Sequence, residues 1–353
     1  MSRRSLTLLI ASVGTAVAIA VSVLVPVPYV ILGPGPTLNT LGRDSSGQPL
    51  ITISGQATYP VSGHLNLVTV SYKGCQGNRF NIFTALVGWL NPREAVVPES
   101  EICPAGLTQK QTEQQDTQQM TSSQQTATAA ALTELDIPYS TQVYVVQTDK
   151  GFPAYGVLKP GDVITKVNGQ PVTGQAALTR LITAHPAGST LTLGITRAGQ
   201  NLQVQVGTRQ VKGAGAVGGG HPVMGVEIRE QYKFPFPITI SVGDIGGPSA
   251  GMMFALGIID KLTKLDLTAG RFIAGTGEIT ASGQVQPIGG IQQKMIGARN
   301  AGATIFLTPA TNCADTKGAV PSGLRLVKVS TLNQAVTYLE ALKSGHPAAV
   351  PSC

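Results

Sequence analysis

The 353-residue chain contains few charged and few aromatic side chains, which make up 12% and 5% of its residues. It has no GxxxxGKS or GxxxxGKT segment for a nucleotide phosphate and no CxxC or HExxH spacing for zinc, and its four histidines are scattered. Its basic residues give a net charge of +7 but form no run, and no nucleic-acid recognition motif is present. We therefore expect no cofactor, no metal and no nucleic acid. The basic surface is expected to be solvated, with weak attraction to anionic lipid as the alternative.

A long apolar stretch lies at the N-terminus. Arg3 and Arg4 precede a run that stays uncharged and largely apolar as far as Leu32. Twenty helical residues span roughly 30 Å, which is the hydrocarbon thickness of a bilayer. We predict a transmembrane anchor over residues 1–32, ended by the following Gly-Pro-Gly-Pro, with the arginines in the cytoplasm and the remaining chain outside. The alternative is a signal peptide cleaved near Ala18-Ile-Ala20, which the length of the run disfavours.

The four cysteines favour disulfides over a metal site. An even number of cysteines in a chain predicted to be exported suggests two bridges. Proximity in the sequence suggests the pairs Cys75–Cys103 and Cys313–Cys353, although four cysteines allow three pairings.

Residues 50–135 show both strand and helix patterns. Alternating apolar residues predict half-buried strands at 50–54 and 65–72, and residues 81–90 are predicted to be helical. Residues 108–135 are rich in Gln and Thr, which is typical of a disordered linker. We favour a helix there, because apolar and small residues recur at helical spacing, alanine is abundant, and proline and glycine are absent.

Turn motifs are concentrated between residues 151 and 169. They are a Gly-x-Pro-Ala turn, a Leu-Lys-Pro-Gly-Asp turn and a Val-Asn-Gly hairpin. With the strands around them they resemble a PDZ domain over about 137–210. This resemblance implies a β-rich fold that takes an extended C-terminal peptide as an added strand, unless the domain only packs against its neighbour. The peptide-binding residues are expected to be Val143, Tyr144, Val145 and Val146.

A Gly-rich segment near residue 250 contains a candidate nucleophile. Ser249 lies in Asp-Ile-Gly-Gly-Pro-Ser-Ala-Gly, after a predicted strand at 237–242 and at the start of a predicted helix, where Pro248 is well tolerated. Free backbone amides at a helix N-terminus can stabilise an oxyanion, and the small neighbours Gly247 and Ala250 let a substrate backbone approach. The simpler interpretation is a serine that only caps the helix.

A second Gly-rich segment contains a candidate base. Lys294 ends the sequence Pro-Ile-Gly-Gly-Ile-Gln-Gln-Lys, on a predicted helix over 291–300, beside the apolar stripe of Ile291, Met295 and Ala298. Partial burial would lower the pKa of the lysine, and a neutral lysine can take the proton of a serine hydroxyl. The competing interpretation is a surface lysine on an amphipathic helix.

These segments together resemble the proteolytic domain of Lon proteases over about 235–312. The matching positions, in order and spacing, are Pro248-Ser-Ala-Gly251, Thr276-Gly-Glu278, Gly283, Pro287-Ile-Gly-Gly290, Lys294, Pro309 and Asn312. The resemblance implies that Ser249 is the nucleophile, Lys294 the general base and Thr276 a supporting hydroxyl. The chain has Ile-Gly-Gly where Lon usually has Lys-Asp-Gly, so the acidic residue of that motif is missing. The ATPase module of Lon is missing too, so hydrolysis is expected to proceed without ATP.

The complete layout predicts an α/β (α+β) proteolytic domain with an inserted β-rich PDZ domain and one N-terminal transmembrane helix. The predicted segments are the anchor at 1–32, N-terminal strands and helices of the protease domain at 33–136, the PDZ domain at 137–210, a Gly-rich linker at 211–221 and the catalytic domain at 222–353. This order resembles the membrane-anchored, PDZ-containing Lon-like proteases of bacteria.

That resemblance implies an extracytoplasmic serine endopeptidase that acts on proteins or peptides and is held at the cell membrane. Self-association is a further expectation from the resemblance, because Lon-type domains often form rings. The alternative is a catalytically weak or inactive membrane-anchored scaffold that binds peptides through its PDZ domain.

Overall fold

The computed structural model describes residues 3–44, 46–75, 79–103, 106–211 and 221–353. Its helices are α1 (Arg3–Leu24), α2 (Ile82–Leu90), α3 (Glu99–Ile102), α4 (Gln109–Glu134), α5 (Gln175–Thr183), α6 (Gly251–Leu262), α7 (Ile291–Asn300) and α8 (Leu332–Lys343). Its strands are β1 (Tyr29–Asn39), β2 (Ile51–Ile53), β3 (His64–Lys73), β4 (Ala95–Pro98), β5 (Ser140–Thr148), β6 (Val163–Val167), β7 (Gln170–Pro171), β8 (Thr190–Arg197), β9 (Gln200–Gly207), β10 (Arg209–Val211), β11 (His221–Val223), β12 (Val226–Lys233), β13 (Ile238–Ile240), β14 (Phe272–Gly275), β15 (Glu278–Ile279), β16 (Val285–Gln286), β17 (Ile305–Pro309) and β18 (Arg325–Val329). Apart from its two end residues, the predicted Gly-rich linker lies outside the described residues.

The chain folds into two compact units, one of which is inserted in the other. The first consists of Met1–Ile137 and Phe236–Cys353, and the second of Pro138–Pro235. The start of the catalytic domain at residue 222 is therefore wrong. Strand β12 pairs antiparallel with β5 and belongs to the inserted unit, because its backbone completes that sheet.

The first unit is built on a mixed sheet with the strand order β18-β17-β14-β3-β1-β4. Successive side chains of a strand point to opposite faces, so each strand contributes to two apolar clusters. Leu65 and Leu67 of β3 pack in the cluster that contains α4, α6 and α8, whereas Val68 packs in the cluster that contains α7. The sheet is thus the middle of three layers. The helix after Ser249 and the helix that carries Lys294 lie on opposite faces of it.

The Gln- and Thr-rich segment forms helix α4, so the helix predicted there is confirmed. Thr108 and Gln111 form a reciprocal capping box at its N-terminus. Met120, Ala127 and Ala130 are buried in the cluster shared with α6. Small alanine side chains let the two helices approach closely, while the polar residues of the first turns remain exposed.

The apolar N-terminal run is divided between two elements. Residues 4–24 form a helix that is long and apolar enough to cross a membrane. Pro26 and Pro28 follow that helix at once, and proline cannot continue one because it lacks an amide hydrogen and clashes with the preceding turn. The anchor predicted to reach residue 32 is therefore too long.

The residues that follow those prolines belong to the core of the first unit. Tyr29–Asn39 is strand β1, in which Val30 and Leu32 are buried. The Gly-Pro-Gly-Pro sequence was predicted to end the anchor, but it lies inside β1, where the pairing with β3 shifts register between Pro34 and Thr37. Proline removes a ladder donor, so it is tolerated at such an irregularity.

The inserted unit is an antiparallel sheet with the strand order β12-β5-β6-β8-β9, to which β7 adds by pairing with β6. Helix α5 packs Leu178 into its core beside Val143 and Leu191. Asn168 and Gly169 connect β6 to β7, with φ of 48° and 81°. A tight hairpin turn requires two successive residues with positive φ, so the predicted hairpin is confirmed.

Two disulfides stabilise the first unit. Cys75 is bonded to Cys103 and Cys313 to Cys353, which are the pairs that sequence proximity suggests. The first bond packs beside Val30 in a small apolar cluster under β1. The second ties the end of the chain to the 3-10 helix that follows β17.

Candidate active site

The structure brings Ser249, Thr276 and Lys294 together. The Nζ atom of Lys294 lies 2.9 Å from Oγ of Ser249 and 3.2 Å from Oγ1 of Thr276. The Thr276 hydroxyl donates to the carbonyl oxygen of Ser249 at 3.0 Å. Because the Thr276 hydroxyl donates its hydrogen to Ser249, it can only accept a hydrogen bond from the lysine. One hydrogen of the Lys294 amine therefore points to Thr276. The rest of its hydrogen-bonding capacity is available to the serine hydroxyl.

Burial controls the protonation of Lys294. Its side chain is only 3% exposed, and it lies on α7 next to the buried Met295. In the part of the chain that the structure describes, no carboxylate forms an ion pair with it. Burial lowers the pKa of Lys294 from its usual value of 10.5 to about 8, because an ammonium loses its hydration there. A lysine with this pKa is partly neutral near pH 8 and has a lone pair with which to accept a proton.

Thr276 is placed by the sheet. It directly follows β14, whose neighbours β3 and β17 both run parallel to it, and it is fully buried. Its amide donates to the carbonyl oxygen of Leu307 at 3.3 Å. The end of a central parallel strand is a rigid position, so the hydroxyl between Ser249 and Lys294 has little freedom to move.

The helix after Ser249 begins later than predicted. Helix α6 starts at Gly251, and the backbone amides of Gly251 and Met252 are hydrogen-bonded to the carbonyl oxygens of Pro248 and Gly277. Ser249 therefore lies in the turn before the helix. The local cause is the pairing of this turn with Gly277, whose amide also donates to the carbonyl oxygen of Ser249 at 2.8 Å.

Two amides in this turn have no hydrogen-bond partner among the described residues, those of Ser249 and Ala250. The amide of Gly247 is occupied, and Pro248 has none. The donors available to an oxyanion are thus the amides of the candidate nucleophile and of the residue after it. The amides of Gly251 and Met252, the first residues of the helix, are engaged.

Helix α4 contacts the turn that contains Ser249 from the side, which the sequence did not reveal. The carbonyl oxygen of Asp116 accepts from the amide of Gly247 at 3.1 Å, and the hydroxyl of Ser123 donates to the carbonyl oxygen of Pro248 at 2.9 Å. A Cβ atom at Gly246 would lie 2.6 Å from the Cβ of Asp116. That position is the one at which the Lon motif has its acidic residue. Here the side chain of Asp116 already occupies the neighbouring space.

One acidic residue of α4, Asp116, is therefore close to the turn that contains Ser249, although the turn itself lacks the expected acid. Burial raises the pKa of Asp116. Burial, followed by the negative charges of Asp116 and Glu113, raises the pKa of Tyr72 on β3. The side chain of Asp116 thus lies beside Gly246 although it is 130 positions away in sequence, and the repetitive composition of α4 gave no signal of it.

The turn before α7 is held by Asn312. Its Oδ1 accepts from the amide of Ile288 at 2.9 Å, and its Nδ2 donates to the carbonyl oxygen of the same residue at 3.0 Å. Gly290 has φ of 67°, and a Cβ atom there would lie 2.7 Å from a methyl group of Val70. Glycine is required because the left-handed backbone lies against β3. These contacts set the position of α7 and so of Lys294.

The predicted peptide-binding strand of the inserted unit is wrong. Val143, Tyr144, Val145 and Val146 lie on β5, which pairs with β12 on one edge and with β6 on the other. The side chains of Val143 and Val145 are also buried in the core. A strand with both edges occupied cannot accept a further strand.

The inserted unit instead has an apolar groove between α5 and β12. Its volume is about 460 Å³, and its lining includes Leu178, Ile182, Met224, Val226 and Ile228. Strand β12 is at the edge of the sheet within the described residues, so one side of its backbone is available. Sequence reasoning missed this strand because it lies beyond the glycine-rich stretch, outside the segment that resembles a PDZ domain.

Comparison with known families agrees with both parts of this description. Residues 238–341 match the Lon protease (S16) C-terminal proteolytic domain, and residues 112–208 match the PDZ domain. The PDZ match begins within α4, which the structure places in the first unit, and ends before β12. The chain thus contains a Lon-type proteolytic domain and a PDZ domain.

Individual relatives cover the proteolytic part. A Lon protease of Rickettsia bellii is 36% identical over 115 residues, which are 31% of this chain and 15% of that protein. Lon protease 1 of Sorangium cellulosum is 41% identical over 101 residues, covering 28% of this chain and 12% of that protein. Lon protease 1 of Bacillus subtilis is 32% identical over 120 residues, covering 33% and 15%. The chain therefore spans only a small part of the length of these curated relatives.

Among solved structures, the chain is similar to the PDZ domain of the SdrC-like protein of Listeria innocua. The identity is 23%, the match covers 25% of this chain and 92% of that one, and the TM-score is 0.22. The corresponding domain from Listeria monocytogenes gives 23% identity, coverages of 24% and 85%, and a TM-score of 0.22.

Proposed function

We propose that this chain is an ATP-independent serine endopeptidase that hydrolyses peptide bonds with a Ser249–Lys294 dyad. The observation that carries this proposal is the 2.9 Å contact between the serine hydroxyl and a lysine amine that is almost completely buried. The match to the Lon proteolytic domain supports the reaction class. ATP independence is proposed because the sequence contains no phosphate-binding loop of the GxxxxGKS type.

The reaction begins with proton transfer from Ser249 to the neutral amine of Lys294. The serine oxygen attacks the scissile carbonyl carbon, and the amides of Ser249 and Ala250 stabilise the negative oxygen of the tetrahedral intermediate. The lysine then gives its proton to the leaving amine. A water molecule, activated by the same lysine, hydrolyses the acyl-enzyme and releases the acid. Thr276 keeps the amine oriented through its 3.2 Å contact.

The pH dependence of hydrolysis tests this role of the lysine. Because the active form of Lys294 is neutral and its pKa is about 8, the rate should rise with a midpoint near pH 8. Below the midpoint it should fall about tenfold per pH unit. The measurement is the initial rate of cleavage of an unfolded protein between pH 6 and pH 10, without ATP.

A second lysine with a lowered pKa provides the control. Burial lowers the pKa of Lys261 at the end of α6, and this residue makes no contact with Ser249 among the described hydrogen bonds. Lys261→Met should leave the midpoint where it is. A rate that stays constant from pH 6 to pH 9 would contradict a lysine general base.

The PDZ domain is proposed to recruit extended or C-terminal peptide segments to the groove between α5 and β12. An edge strand beside an apolar groove can add a peptide strand and hold a terminal apolar side chain. Ile228→Glu places a charge in that groove and is expected to weaken binding of a fluorescent peptide with an apolar C-terminus at least about tenfold. Val146→Glu, on the exposed side of β5, should leave the affinity unchanged. Equal losses in both variants would contradict the groove assignment.

The location of the enzyme is also proposed. The apolar helix α1 would anchor the chain in the cell membrane, and Arg3 and Arg4 before it would stay in the cytoplasm. The two disulfides support an extracytoplasmic catalytic unit, since such bonds persist in oxidising compartments. Digestion of that unit by a protease added to intact cells tests the orientation. Self-association of the chain stays a prediction.

A further inference from the structure

Helix α2 shows the reverse of the usual amphipathic pattern. Its large apolar side chains are exposed, by 41% to 84% of their surface. These residues are Ile82, Phe83, Leu86, Val87, Trp89 and Leu90. A surface helix normally buries such residues and exposes polar ones. Contiguous exposed apolar surface of this kind marks a site of contact with another apolar phase or with a partner.

The side of α2 that faces the protein is made of its smallest residues. Ala85 and Gly88 are the buried positions of the helix. A Cβ atom at Gly88 would lie 3.0 Å from a methyl group of Val96 and 3.2 Å from Cδ1 of Ile31. The helix therefore lies close against β1 and β4, and its large side chains cannot turn inward. Their exposure is fixed by the packing.

The start of α2 coincides with the end of α1. The amide of Val27, just after α1, donates to the carbonyl oxygen of Phe80 at 3.0 Å, and Pro26 forms a bridge with Asn81. Leu24 and Val25, at the end of α1, are also exposed. Where α1 leaves a bilayer, the start of α2 therefore lies next to the membrane surface.

The residues around α2 suit the interface between hydrocarbon and water. The Trp89 and Tyr29 rings lie edge to face with centroids 6.2 Å apart, and such aromatic residues are enriched at the level of the lipid headgroups. Between Arg79 and Arg93 the sequence contains no carboxylate. Arg93, directly after the helix, is exposed and can approach lipid phosphates.

We propose that α2 is a second membrane-contacting element, which lies in the interfacial region of the outer leaflet and fixes the catalytic unit against the bilayer. Its occupant is lipid rather than a second copy of the chain, because the exposed face is continuous with the end of a helix that can itself cross a membrane. A helix inserted this way holds the catalytic unit at one height and orientation instead of letting it swing on a single anchor. This inference relies on α1 spanning the bilayer and is independent of the chemistry at Ser249.

The single tryptophan of the chain is on this helix, so its fluorescence reports directly on the proposal. The full-length protein is reconstituted in phosphatidylcholine vesicles that contain spin-labelled lipid, with the label either near the headgroup or at the end of an acyl chain. We expect the headgroup-level label to reduce Trp89 emission by about half and the chain-end label to reduce it much less. Iodide on both sides of the membrane should quench it weakly.

Two results would overturn the proposal. Strong quenching by iodide and none by either lipid would mean that α2 faces water. Protection from iodide and from both lipids, changing with the protein-to-lipid ratio, would mean that a second copy covers it. If the protein fails to float with the vesicles, α1 itself does not span them. A protein that floats but has its tryptophan in water contradicts only the assignment of α2.

A matched pair of variants separates a lipid contact from a change of fold. Leu90 is 84% exposed, so Leu90→Asp should fold normally, which thermal unfolding checks, while the headgroup-level quenching of Trp89 falls at least about twofold. Val320 is 43% exposed on another segment of the first unit, and Val320→Asp should leave the quenching unchanged. A Leu90→Asp protein that folds and keeps full quenching would overturn the assignment.

Discussion

Replacement of Ser249 by alanine is expected to reduce hydrolysis of an unfolded protein by at least about 10⁴-fold. In the proposed mechanism, the hydroxyl oxygen that Lys294 contacts at 2.9 Å is the atom that forms the acyl-enzyme, and the variant lacks this atom. The measurement uses the full-length protein in detergent without ATP, with cleavage followed by gel electrophoresis and by a serine-directed covalent probe. The probe should label the wild-type protein and fail to label the variant.

The control for this variant is another serine of the same region. Ser241 is exposed, eight positions before the nucleophile, and Ser241→Ala should cleave and label like the wild type. Equal cleavage by all three proteins would point to a contaminating protease or a different site. If the wild type neither cleaves nor reacts with the probe, the dyad is not catalytic. The chain would then act as a membrane-anchored scaffold that binds peptides through its PDZ domain.

Replacement of Lys294 by methionine is expected to abolish hydrolysis and, at the same time, to stabilise the first unit. A pKa lowered from 10.5 to about 8 corresponds to about 3 kcal/mol, since one pKa unit is about 1.4 kcal/mol. Below pH 8 the lysine is charged in both the folded and the unfolded chain, and the folded state carries the whole cost of burying the charge. Methionine fills a similar volume without that cost. At pH 7 the free energy of unfolding of Lys294→Met should exceed that of the wild type by up to about 3 kcal/mol.

The same difference should disappear as the pH rises. Between pH 8 and about 10.5 the folded lysine is neutral while the unfolded one still holds its proton, so the wild-type protein gains stability over this window. Urea unfolding of both proteins at pH 7 and pH 10 measures the change. Lys328→Met, which replaces an exposed lysine on β18, should show no such dependence. If Lys294→Met were less stable than the wild type at pH 7, burial of the charged lysine would not destabilise the folded state.

The loss of activity and the gain of stability expected for Lys294→Met have the same physical cause. In the proposed mechanism, the residue that supplies the base also destabilises the fold, because the dry environment that makes its amine neutral opposes its charged form. Its neighbours Thr276 and Ser249 are held by backbone hydrogen bonds to Leu307 and Gly277. Rigid support of this kind fixes the two residues that the Lys294 amine contacts.

Local patterns in the sequence determined much of this protein. The spacing of Ser249 and Lys294 within their Gly-rich segments, the helical period of α4 and the Asn168-Gly169 turn each depend on residues that are near one another in the chain. Backbone preference and side-chain periodicity act over that distance, so the sequence alone predicts these elements and the Ser249–Lys294 pair that the structure brings into contact. The two disulfides join neighbouring cysteines, which made proximity a sufficient guide.

Only the tertiary structure decided which distant elements support those patterns. Ser123 reaches Pro248 across 125 positions, and Asp116 fills the space beside Gly246, although nothing in the composition of α4 marks either residue. In the same way, β12 forms the edge of the inserted sheet at which β5 was predicted to lie. Strand β1 contains residues that were predicted to end the anchor. Each of these outcomes follows from strand pairing or helix packing between segments far apart in the chain. Such contacts depend on which surfaces meet in the folded chain, and a one-dimensional pattern does not contain that information.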